Sequence, residues 1–369
     1  MKCSLWLASV AGLFIPLVAG AQQPATPAAP TPVTVTGYVT TGLTHSTEPV
    51  ANVIVGRAYD RRQDEFMLNV ANIALDRSAP TDRMSAGFHF EGLFGQNAEV
   101  VKSNGLNLGP DADIWQAYVV LNAPLSGKDR YVQIKAGKMA TLMGVEVGED
   151  ILNPNLGIGY QDIFLEPFTE TGVEFDGKFS PRVDAELRVS NGWDQVTDLN
   201  AGKTFMARMG LTPDDKTLFA IVGYTGPEQA NNTSNRRTGV NALLSRKLSV
   251  ATTAQAQVDY GQEDGAAAGG GEAKWYAAGL WTTVDLNPTA TLAMRGDYMN
   301  DRDGARTSGV LGFPVTTGLT VASLTATWND KQWDHALVRP ELRYDHASRS
   351  VFKGNQSQLS IGIGLSYLF

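Results

Sequence analysis

The chain has 369 residues, 38 glycines and a formal net charge of −8 at pH 7, and its only cysteine is Cys3. The acidic balance argues against nucleic-acid binding, which requires a basic face. A single cysteine excludes a disulfide framework and a cysteine metal site. No run beyond the N-terminal segment reaches the roughly 18 apolar residues of a membrane-spanning helix. A membrane β-barrel stays open, because alternate residues of its strands face the lumen and dilute the apolar signal.

Residues 1–21 have the features of a secretory signal peptide. Lys2 supplies a positive start, residues 5–18 are mostly apolar, and residues 19–21 read Ala-Gly-Ala, an A-x-A cleavage site. An N-terminal membrane anchor is the weaker alternative, because the apolar run is short and a cleavage site follows it. The next segment, 22–32, is rich in Pro, Ala and Thr and is predicted to be an extended periplasmic lead-in.

The segment from residue 33 to residue 369 is predicted to form about sixteen strands, from its period-two alternation and the turn signals between runs. Short turns and longer loops alternate strictly along it, as an up-and-down antiparallel membrane barrel requires. A solenoid or propeller would show a fixed repeat, and we find none. The predicted strands are 33–44, 66–76, 84–94, 113–123, 131–140, 171–179, 182–190, 204–212, 217–224, 238–246, 251–261, 274–284, 289–299, 318–328, 336–346 and 359–369.

The last predicted strand, 359–369, carries the clearest alternation. One face holds only large apolar or aromatic residues, whereas the other is mostly Ser and Gly. Its length suits a tilted membrane-spanning strand of about 9–11 residues. The alternative is the final strand of a soluble β-sandwich, but a Ser/Gly face suits a lumen better. Tyr367 and Phe369 resemble the assembly signal of bacterial outer-membrane barrels, which implies recognition by the barrel-assembly machinery.

Strand 336–346 is the weakest of these predictions, because Pro340 removes a donor from the hydrogen-bond ladder. Its charged residues nevertheless share one face and its apolar residues the other. Pro340 is therefore expected to face lipid at a local gap in the ladder.

Four segments resemble a known family. They read AGKMATLMGVE at 136–146, EPFTETGV at 166–173, NGWD at 191–194 and RPELRYD at 339–345. Together they are similar to the OmpL-like, BBP-type β-barrel porins of the outer membrane, over most of the mature chain. The resemblance implies an outer-membrane channel for small solutes, without naming the solute. Met139 and Met143 depart from the bulkier or aromatic residues expected there, which affects only the fine shape of the pore.

The segment 141–170 is the longest gap between predicted strands, and loops of such length are usually functional or disordered. In sixteen-stranded porins the corresponding third outer loop folds into the barrel and narrows it, so we expect this segment to be the constriction loop. It contains no Lys or Arg, and carboxylates in a pore favour cations. The predicted constriction residues are Glu146, Glu149, Asp150, Asp162, Glu166 and Glu170.

Basic side chains at lumen positions of the strands are expected to face these acids. Acid and base on opposite sides would set a transverse field that favours hydrated, dipolar solutes. Two alternatives remain: the loop lies over the mouth with solvated acids, or each base pairs with a nearby carboxylate such as Glu341 or Asp345. The predicted basic wall comprises Lys135, Arg188, Arg208, Arg295, Arg339 and Arg343.

Catalysis, metal binding and cofactors are not expected. The four histidines show no metal-binding spacing, and no Gly-x-Ser-x-Gly elbow occurs. His89 and Glu91 share a strand face, and a lumen hydrogen bond is the favoured interpretation of that pair. The chain is therefore predicted not to be an enzyme.

The leading hypothesis is a porin for passive diffusion of small hydrophilic solutes or ions, with a mild cation preference. The alternative is a barrel with a closed lumen that acts as an adhesin, receptor or envelope tether. An active transporter is disfavoured, because segment 22–32 is too short for a plug domain. Outer-membrane lipid is the expected surrounding, and a homotrimer is expected only by analogy with other sixteen-stranded porins.

Overall fold

The computed structural model describes residues 31–127 and 129–369. The predicted signal peptide and residues 22–30 of the predicted lead-in lie outside the described residues. Residues 33–369 form one compact unit. This unit is a closed barrel of sixteen strands, in which each strand pairs antiparallel with its sequence neighbours and the first pairs with the last. The predicted fold class is confirmed.

The strands follow one another without any crossover, and two short α-helices lie in the connections. The helices are α1 Gln96–Val101 and α2 Tyr160–Leu165. The strands are β1 Thr34–Ser46, β2 Met67–Arg77, β3 Ser85–Phe94, β4 Ala112–Pro124, β5 Tyr131–Ala140, β6 Thr169–Ser180, β7 Val183–Trp193, β8 Thr204–Asp214, β9 Thr217–Gly226, β10 Arg237–Lys247, β11 Thr252–Glu263, β12 Ala273–Asn287, β13 Ala290–Asp301, β14 Leu319–Asp330, β15 Ala336–Ala347 and β16 Ser357–Leu368.

The connections differ in length at the two ends of the barrel. Those that follow odd-numbered strands are the longer ones, and we number them as loops 1 to 8 in chain order. Loop 1 is 47–66, loop 3 is 141–168, loop 7 is 302–318 and loop 8 is 348–356. No helix in the part of the chain that the structure describes has the length and apolarity to cross a membrane.

The predicted boundary of loop 3 is wrong at its C-terminal side. Strand β6 begins at Thr169, which pairs with Ala140, so Glu170 belongs to the strand and not to the loop. The Asp194 carboxylate extends the strand, because its Oδ1 accepts the backbone N–H groups of Phe168 and Thr169 at 2.9 Å each. The sequence pattern could not show this contact with a residue some 25 positions later in the chain.

Burial along the strands is inverted relative to a water-soluble protein. On β16, Ile361 and Leu365 are 60% and 49% exposed, whereas Ser360 and Ser366 are 4% and 0% exposed. Apolar side chains therefore face outward and polar ones inward, on the two faces that strict alternation predicts. An outward apolar band is stable in lipid, because no water has to be ordered around it.

The prediction for Pro340 is confirmed. Its side chain is exposed on the apolar outer face. The ladder between β14 and β15 is interrupted there: Thr327 pairs with Glu341, and the next pair is Asp330 with Val338. A proline has no backbone N–H, so the gap falls where the ladder lacks a donor.

The barrel closes between β1 and β16 at the chain terminus. The Gly37 N–H donates to the Phe369 carbonyl at 3.0 Å, and the Phe369 N–H donates to the Gly37 carbonyl at 2.9 Å. The Phe369 ring covers Gly37, where an added Cβ would lie 2.5 Å from the ring. The terminal aromatic residue therefore takes part in the seam that closes the barrel.

Replacing Phe369 by alanine should lower the amount of folded protein in the outer membrane several-fold. The change removes the ring from the closing seam and from the predicted assembly signal. The readout is the heat-modifiable, faster-migrating band in envelope fractions. Phe175→Ala is the matched control, because Phe175 on β6 is also an exposed outward aromatic residue. Equal levels of the two variants would contradict the prediction.

Candidate functional site

Loop 3 is bound along its backbone to lumen-facing side chains of the strands. The Leu156 N–H donates to Glu341 Oε2 at 2.7 Å, and the Gly157 N–H donates to Glu341 Oε1 at 3.1 Å. The Tyr160 N–H donates to Asp297 Oδ2 at 2.8 Å. Carboxylates on β13 and β15 thus satisfy the backbone donors of this segment, as a buried backbone requires.

Arginines of the same strands satisfy the loop's carbonyl groups. Arg295 Nη1 donates to the Gly157 carbonyl at 2.7 Å. Arg343 Nη1 donates to the Ile158 carbonyl at 2.8 Å. Arg339 Nη1 donates to the carbonyl of Asp150 at 2.9 Å. Three residues of the predicted basic wall therefore hold loop 3 through charge-assisted hydrogen bonds, which are stronger than neutral ones.

Two of the predicted constriction acids form ion pairs with this wall. Glu146 Oε1 lies 2.5 Å from Arg295 Nη1, and both side chains are 0% exposed. Asp150 Oδ2 lies 3.5 Å from Arg339 Nη2. A buried charge is tolerated only with a partner of this kind.

The other predicted acids have separate surroundings. Glu149 Oε1 accepts from Gln116 Nε2 on β4 at 3.2 Å. Glu166 accepts a hydrogen bond from Gln257 on β11. Asp162 and Glu166 are buried, and burial raises the pKa of both well above the usual range. All six predicted acids are buried, and the structure distributes them along the contact between loop and wall rather than in one ring.

Every base of the predicted wall has a carboxylate partner. Arg188 and Lys135 pair with carboxylates of β6, Arg208 with carboxylates of β7, and Arg343 with Asp345 on its own strand. These are the pairings that the sequence analysis considered as the alternative for the wall residues. The six bases lie on the lumen face, as the alternation predicts.

The exposure of these pairs differs around the barrel. Side chains on β13 and β15 that contact loop 3 are 0–2% exposed. On the β5–β8 side the exposed fractions are 21% for Lys135, 19% for Asp176, 32% for Asp184, 16% for Glu186 and 17% for Arg208. The charges that remain open to water therefore lie beside β5–β8, opposite the covered arginines.

The sequence analysis missed three acids of this open group. Asp176, Asp184 and Glu186 share the lumen face with Lys135 and Arg208, and the same alternation that selected the bases would have selected them.

Arg57 of loop 1 is a contact residue that no sequence signal could have revealed. Its Nη1 lies 2.6 Å from Asp60 Oδ2, and its Nη2 lies 3.2 Å from Asp345 Oδ2 on β15. It carries no periodicity signal, because it lies in an irregular loop. Arg57 joins loop 1 to the same wall that holds loop 3.

A buried apolar cluster joins the long loops to one another. The Phe313 ring of loop 7 lies 5.8 Å from Phe164 of loop 3 and 6.3 Å from Phe352 of loop 8, between ring centroids. Loop 1 contributes Val55 and Tyr59 to the same cluster. Each buried aromatic side chain contributes about 1.5–3 kcal/mol. Loops 1, 3, 7 and 8 therefore support each other at this end of the barrel.

Glu149 is the loop 3 acid that titrates near neutral pH. The Gln116 Nε2 that donates to it also donates to Glu91 Oε2, at 3.1 Å. Burial, and then the neighbouring Glu91 carboxylate, raise the pKa of Glu149 to about 7. Trp115 and His89 also face the carboxyl group, and both favour its charged form. Burial and repulsion from Glu91 outweigh them, so the protonated form fits this position best.

We expect the attachment of loop 3 to β4 to weaken as the pH rises. A carboxyl whose pKa is raised by docking stabilises the docked loop below its unperturbed pKa of about 4.3, and this contribution is lost as the pH approaches about 7. Current fluctuations in a planar bilayer should therefore increase between about pH 5 and about pH 8. Glu149→Gln should abolish this trend, whereas Glu65→Gln at an exposed position of loop 1 should retain it. A pH-independent wild type would contradict this.

His89 hydrogen-bonds within the lumen face, as the favoured interpretation of that pair expects. Its Nε2 lies 3.3 Å from Glu91 Oε2, and its Nδ1 lies 3.4 Å from Asp76 Oδ2. Within residues 31–127 and 129–369, no group of three His, Asp or Glu side chains is arranged to hold a metal ion.

The fold is similar to solved structures of outer-membrane channels. The outer membrane channel DcaP of Acinetobacter baumannii gives a TM-score of 0.62 at 13% identity, over 91% of this chain and 97% of that chain. An anion-selective porin from Comamonas acidovorans gives 0.60 at 11% identity, over 92% and 99%. The trimer form of OmpT of Vibrio cholerae gives 0.59 at 9% identity, over 92% and 99%. At such identities the similarity concerns the fold alone.

The amino-acid sequence adds a family assignment. No curated protein sequence matches the chain. Residues 32–369 match the family described as "Putative beta-barrel porin-2, OmpL-like". The matched range covers the whole barrel and contains all four segments that carried the resemblance. The chain therefore belongs to the OmpL-like β-barrel porin family.

Proposed function

We propose that this protein is an outer-membrane porin for passive diffusion of small hydrophilic solutes and ions, through a lumen narrowed by loop 3. One observation carries the proposal. Loop 3 is bound to lumen-facing residues of β13 and β15, while the lumen charges of β5–β8 stay partly exposed. A passage beside β5–β8, with loop 3 as its opposite wall, accounts for this difference.

The attachment supports a narrowing of constant size. Hydrogen bonds from Arg295, Arg339 and Arg343 hold the carbonyl groups of loop 3, and Glu341 and Asp297 hold its N–H groups. A loop bound on both kinds of backbone group resists displacement by solute. Selection by size therefore requires no moving part.

We further propose a mild cation preference. Among the partly exposed charges beside β5–β8, the acids Asp176, Asp184 and Glu186 outnumber the bases Lys135 and Arg208. Loop 3 adds acids and no base. Carboxylates that line a pore favour cations. Arg295 and Arg339 partly neutralise Glu146 and Asp150, so we expect the preference to depend most on the exposed acids.

The test is the reversal potential of the refolded mature protein in a planar bilayer under a potassium chloride gradient. We expect stable channels with cation preference, and Asp184→Asn combined with Glu186→Gln should reduce that preference. A combined Glu146→Gln, Glu149→Gln and Asp150→Asn variant should reduce it less. Asp215→Asn, in the exposed β8–β9 turn, is the control and should leave it unchanged.

Other outcomes separate the parts of the proposal. Stable channels with anion preference would keep the porin and reject the role of the acids. The absence of conductance from folded barrels would favour the alternative of a closed lumen acting as an adhesin, receptor or tether. The apolar cluster of loops 1, 3, 7 and 8 is the observation that supports this alternative, because it covers part of the long-loop end.

The proposed setting follows from the family. We propose insertion in the outer membrane by the barrel-assembly machinery after cleavage of the signal peptide at residue 21, with the long loops outside. The outward apolar band is the surface that would meet lipid. A homotrimer is proposed by analogy with the trimer form of the Vibrio cholerae neighbour. Catalysis is not part of the proposal.

A further inference from the structure

Two arginines and two tryptophans meet at the long-loop end of the barrel, away from the ion pairs that hold loop 3. Arg237 begins β10, Arg306 lies in loop 7, Trp193 ends β7 and Trp275 lies near the start of β12. The Arg237 Cζ lies 4.6 Å from the centroid of the Trp193 ring and 6.0 Å from that of Trp275. The Arg306 Cζ lies 5.4 Å and 5.6 Å from the same two centroids. We call this group the arginine–tryptophan cage.

The cage holds more positive than negative charge. Glu263 pairs with Arg237, its Oε2 lying 2.8 Å from both Nε and Nη2 of that arginine. Among the described residues, no carboxylate oxygen lies within 4.0 Å of the guanidinium of Arg306. Burial, and then the neighbouring Arg237, lower the pKa of Arg306 to about 10, against the opposing effect of Glu263, Tyr224 and Asp301. Two like charges therefore lie close together with one carboxylate between them.

Hydrogen-bond donors in the cage exceed acceptors. Arg306 uses its Nε to donate to the Phe164 carbonyl of loop 3 at 2.6 Å, which leaves its two Nη groups without a partner among the described residues. The Nη1 group of Arg237 also makes no hydrogen bond there. The indole Nε1 of Trp193 is buried without an acceptor. Buried donors without acceptors are rare in proteins, and each such group calls for an explanation.

We propose that the arginine–tryptophan cage binds a small oxyanion, a carboxylate or a phosphate, at the long-loop end of the lumen. An oxyanion would accept from the free Nη groups of Arg237 and Arg306 and would offset their repulsion. Planar guanidinium groups suit both ions, because they present paired donors. The flanking indole rings exclude water and so strengthen these hydrogen bonds.

The site goes beyond the proposed diffusion function. A passive porin with a mild cation preference has no need of a cationic site at its mouth. Such a site would hold anionic solutes before they reach the narrow part. Arg306 also touches loop 3 through Phe164, so occupancy of the cage would stabilise the contact between loops 3 and 7.

The experiment is a fluorescence titration of the refolded protein in detergent micelles, at constant ionic strength. The probes are acetate, inorganic phosphate and the neutral acetamide. We expect a saturable change in tryptophan fluorescence with acetate, phosphate or both, and none with acetamide. Saturation by acetate alone would identify the ligand as a carboxylate, and saturation by phosphate alone as a phosphate. Trp193→Phe should remove most of the signal.

Variants test the role of the arginines. Arg306→Gln should weaken binding about tenfold or more, as expected when charge-assisted hydrogen bonds are lost. Arg302→Gln removes the same charge from an exposed position of loop 7 and should leave binding unchanged. Arg306→Lys keeps the charge but loses the planar fork, and should bind with intermediate affinity. Arg237→Gln tests the cage without altering the contact with Phe164.

Three outcomes would overturn the proposal. They are no saturable response from folded wild type, an equal loss of binding in the Arg302 variant, and unchanged binding in folded Arg237 and Arg306 variants. Folding is checked by heat-modifiable migration and a strand-dominated circular dichroism spectrum. The titration does not depend on conductance, so its result is independent of whether the barrel conducts ions.

Discussion

Replacing Arg295 by methionine should destabilise the barrel by about 3–5 kcal/mol, because one partner of a buried ion pair is removed and the other stays buried. Arg295 and Glu146 are both 0% exposed, and their Nη1 and Oε1 atoms lie 2.5 Å apart. Arg295 also donates to the Gly157 carbonyl, so the same change removes a backbone anchor of loop 3. The measurement is denaturant unfolding of the protein refolded in lipid vesicles.

A double variant and a control define the effect. Glu146→Gln added to Arg295→Met should recover part of the loss, because no buried charge is then left unpaired. Burial already raises the pKa of Glu146, so acidification should also reduce the loss in the single variant. Arg208→Met removes a partly exposed arginine and should cost about 1 kcal/mol or less. A loss in the Arg295 variant no greater than in the Arg208 variant would refute the argument.

Gly172→Ala should sharply reduce the yield of folded barrel. Gly172 on β6 pairs with Gly137 on β5, at the base of loop 3. An added Cβ at Gly172 would lie 2.0 Å from the Val189 carbonyl oxygen and 2.7 Å from the Ser190 Cα. Both are backbone atoms, so no side-chain rotation relieves the clash, and overpacking of this kind costs about 1–3 kcal/mol or more.

Gly223→Ala is the matched control for this prediction. Gly223 also lies within a strand, β9, but an added Cβ there meets nothing within 4 Å. The folded fraction of each variant is measured by heat-modifiable migration after refolding under identical conditions. We expect the Gly223 variant to refold like the wild type. Equal refolding of both variants would show that β6 and β7 can separate at Gly172 without harm.

The strands and their faces could be predicted because alternation is a local property. Two neighbouring residues of a strand point to opposite sides, so a charged residue such as Arg343 between Leu342 and Tyr344 is assigned to the lumen from its neighbours alone. The same rule gave the orientation of Pro340. Strand ends were less certain, and Glu170 was placed in loop 3, because the contact of Asp194 that extends β6 comes from another strand connection.

The contacts of the candidate site could be predicted only in part. The sequence analysis selected Glu146 and Arg295 as acid and base on opposite sides, and the structure shows the two in direct contact. It did not select Arg57, Tyr160 or Arg306, because an irregular loop offers no periodicity from which to infer the direction of a side chain. The distribution of the loop acids along the wall, rather than in one ring, was equally beyond a local pattern.

The sequence by itself therefore determined the fold class, the lumen face of each strand and the family. These depend on residue periodicity and on short segments that lie within one or two strands. Only the tertiary structure decided which acid meets which base, and that Arg237, Arg306, Trp193 and Trp275 form one cage. Such contacts join residues that lie tens to hundreds of positions apart. Closure of the barrel and packing of the loops bring them together, and no local pattern encodes those distances.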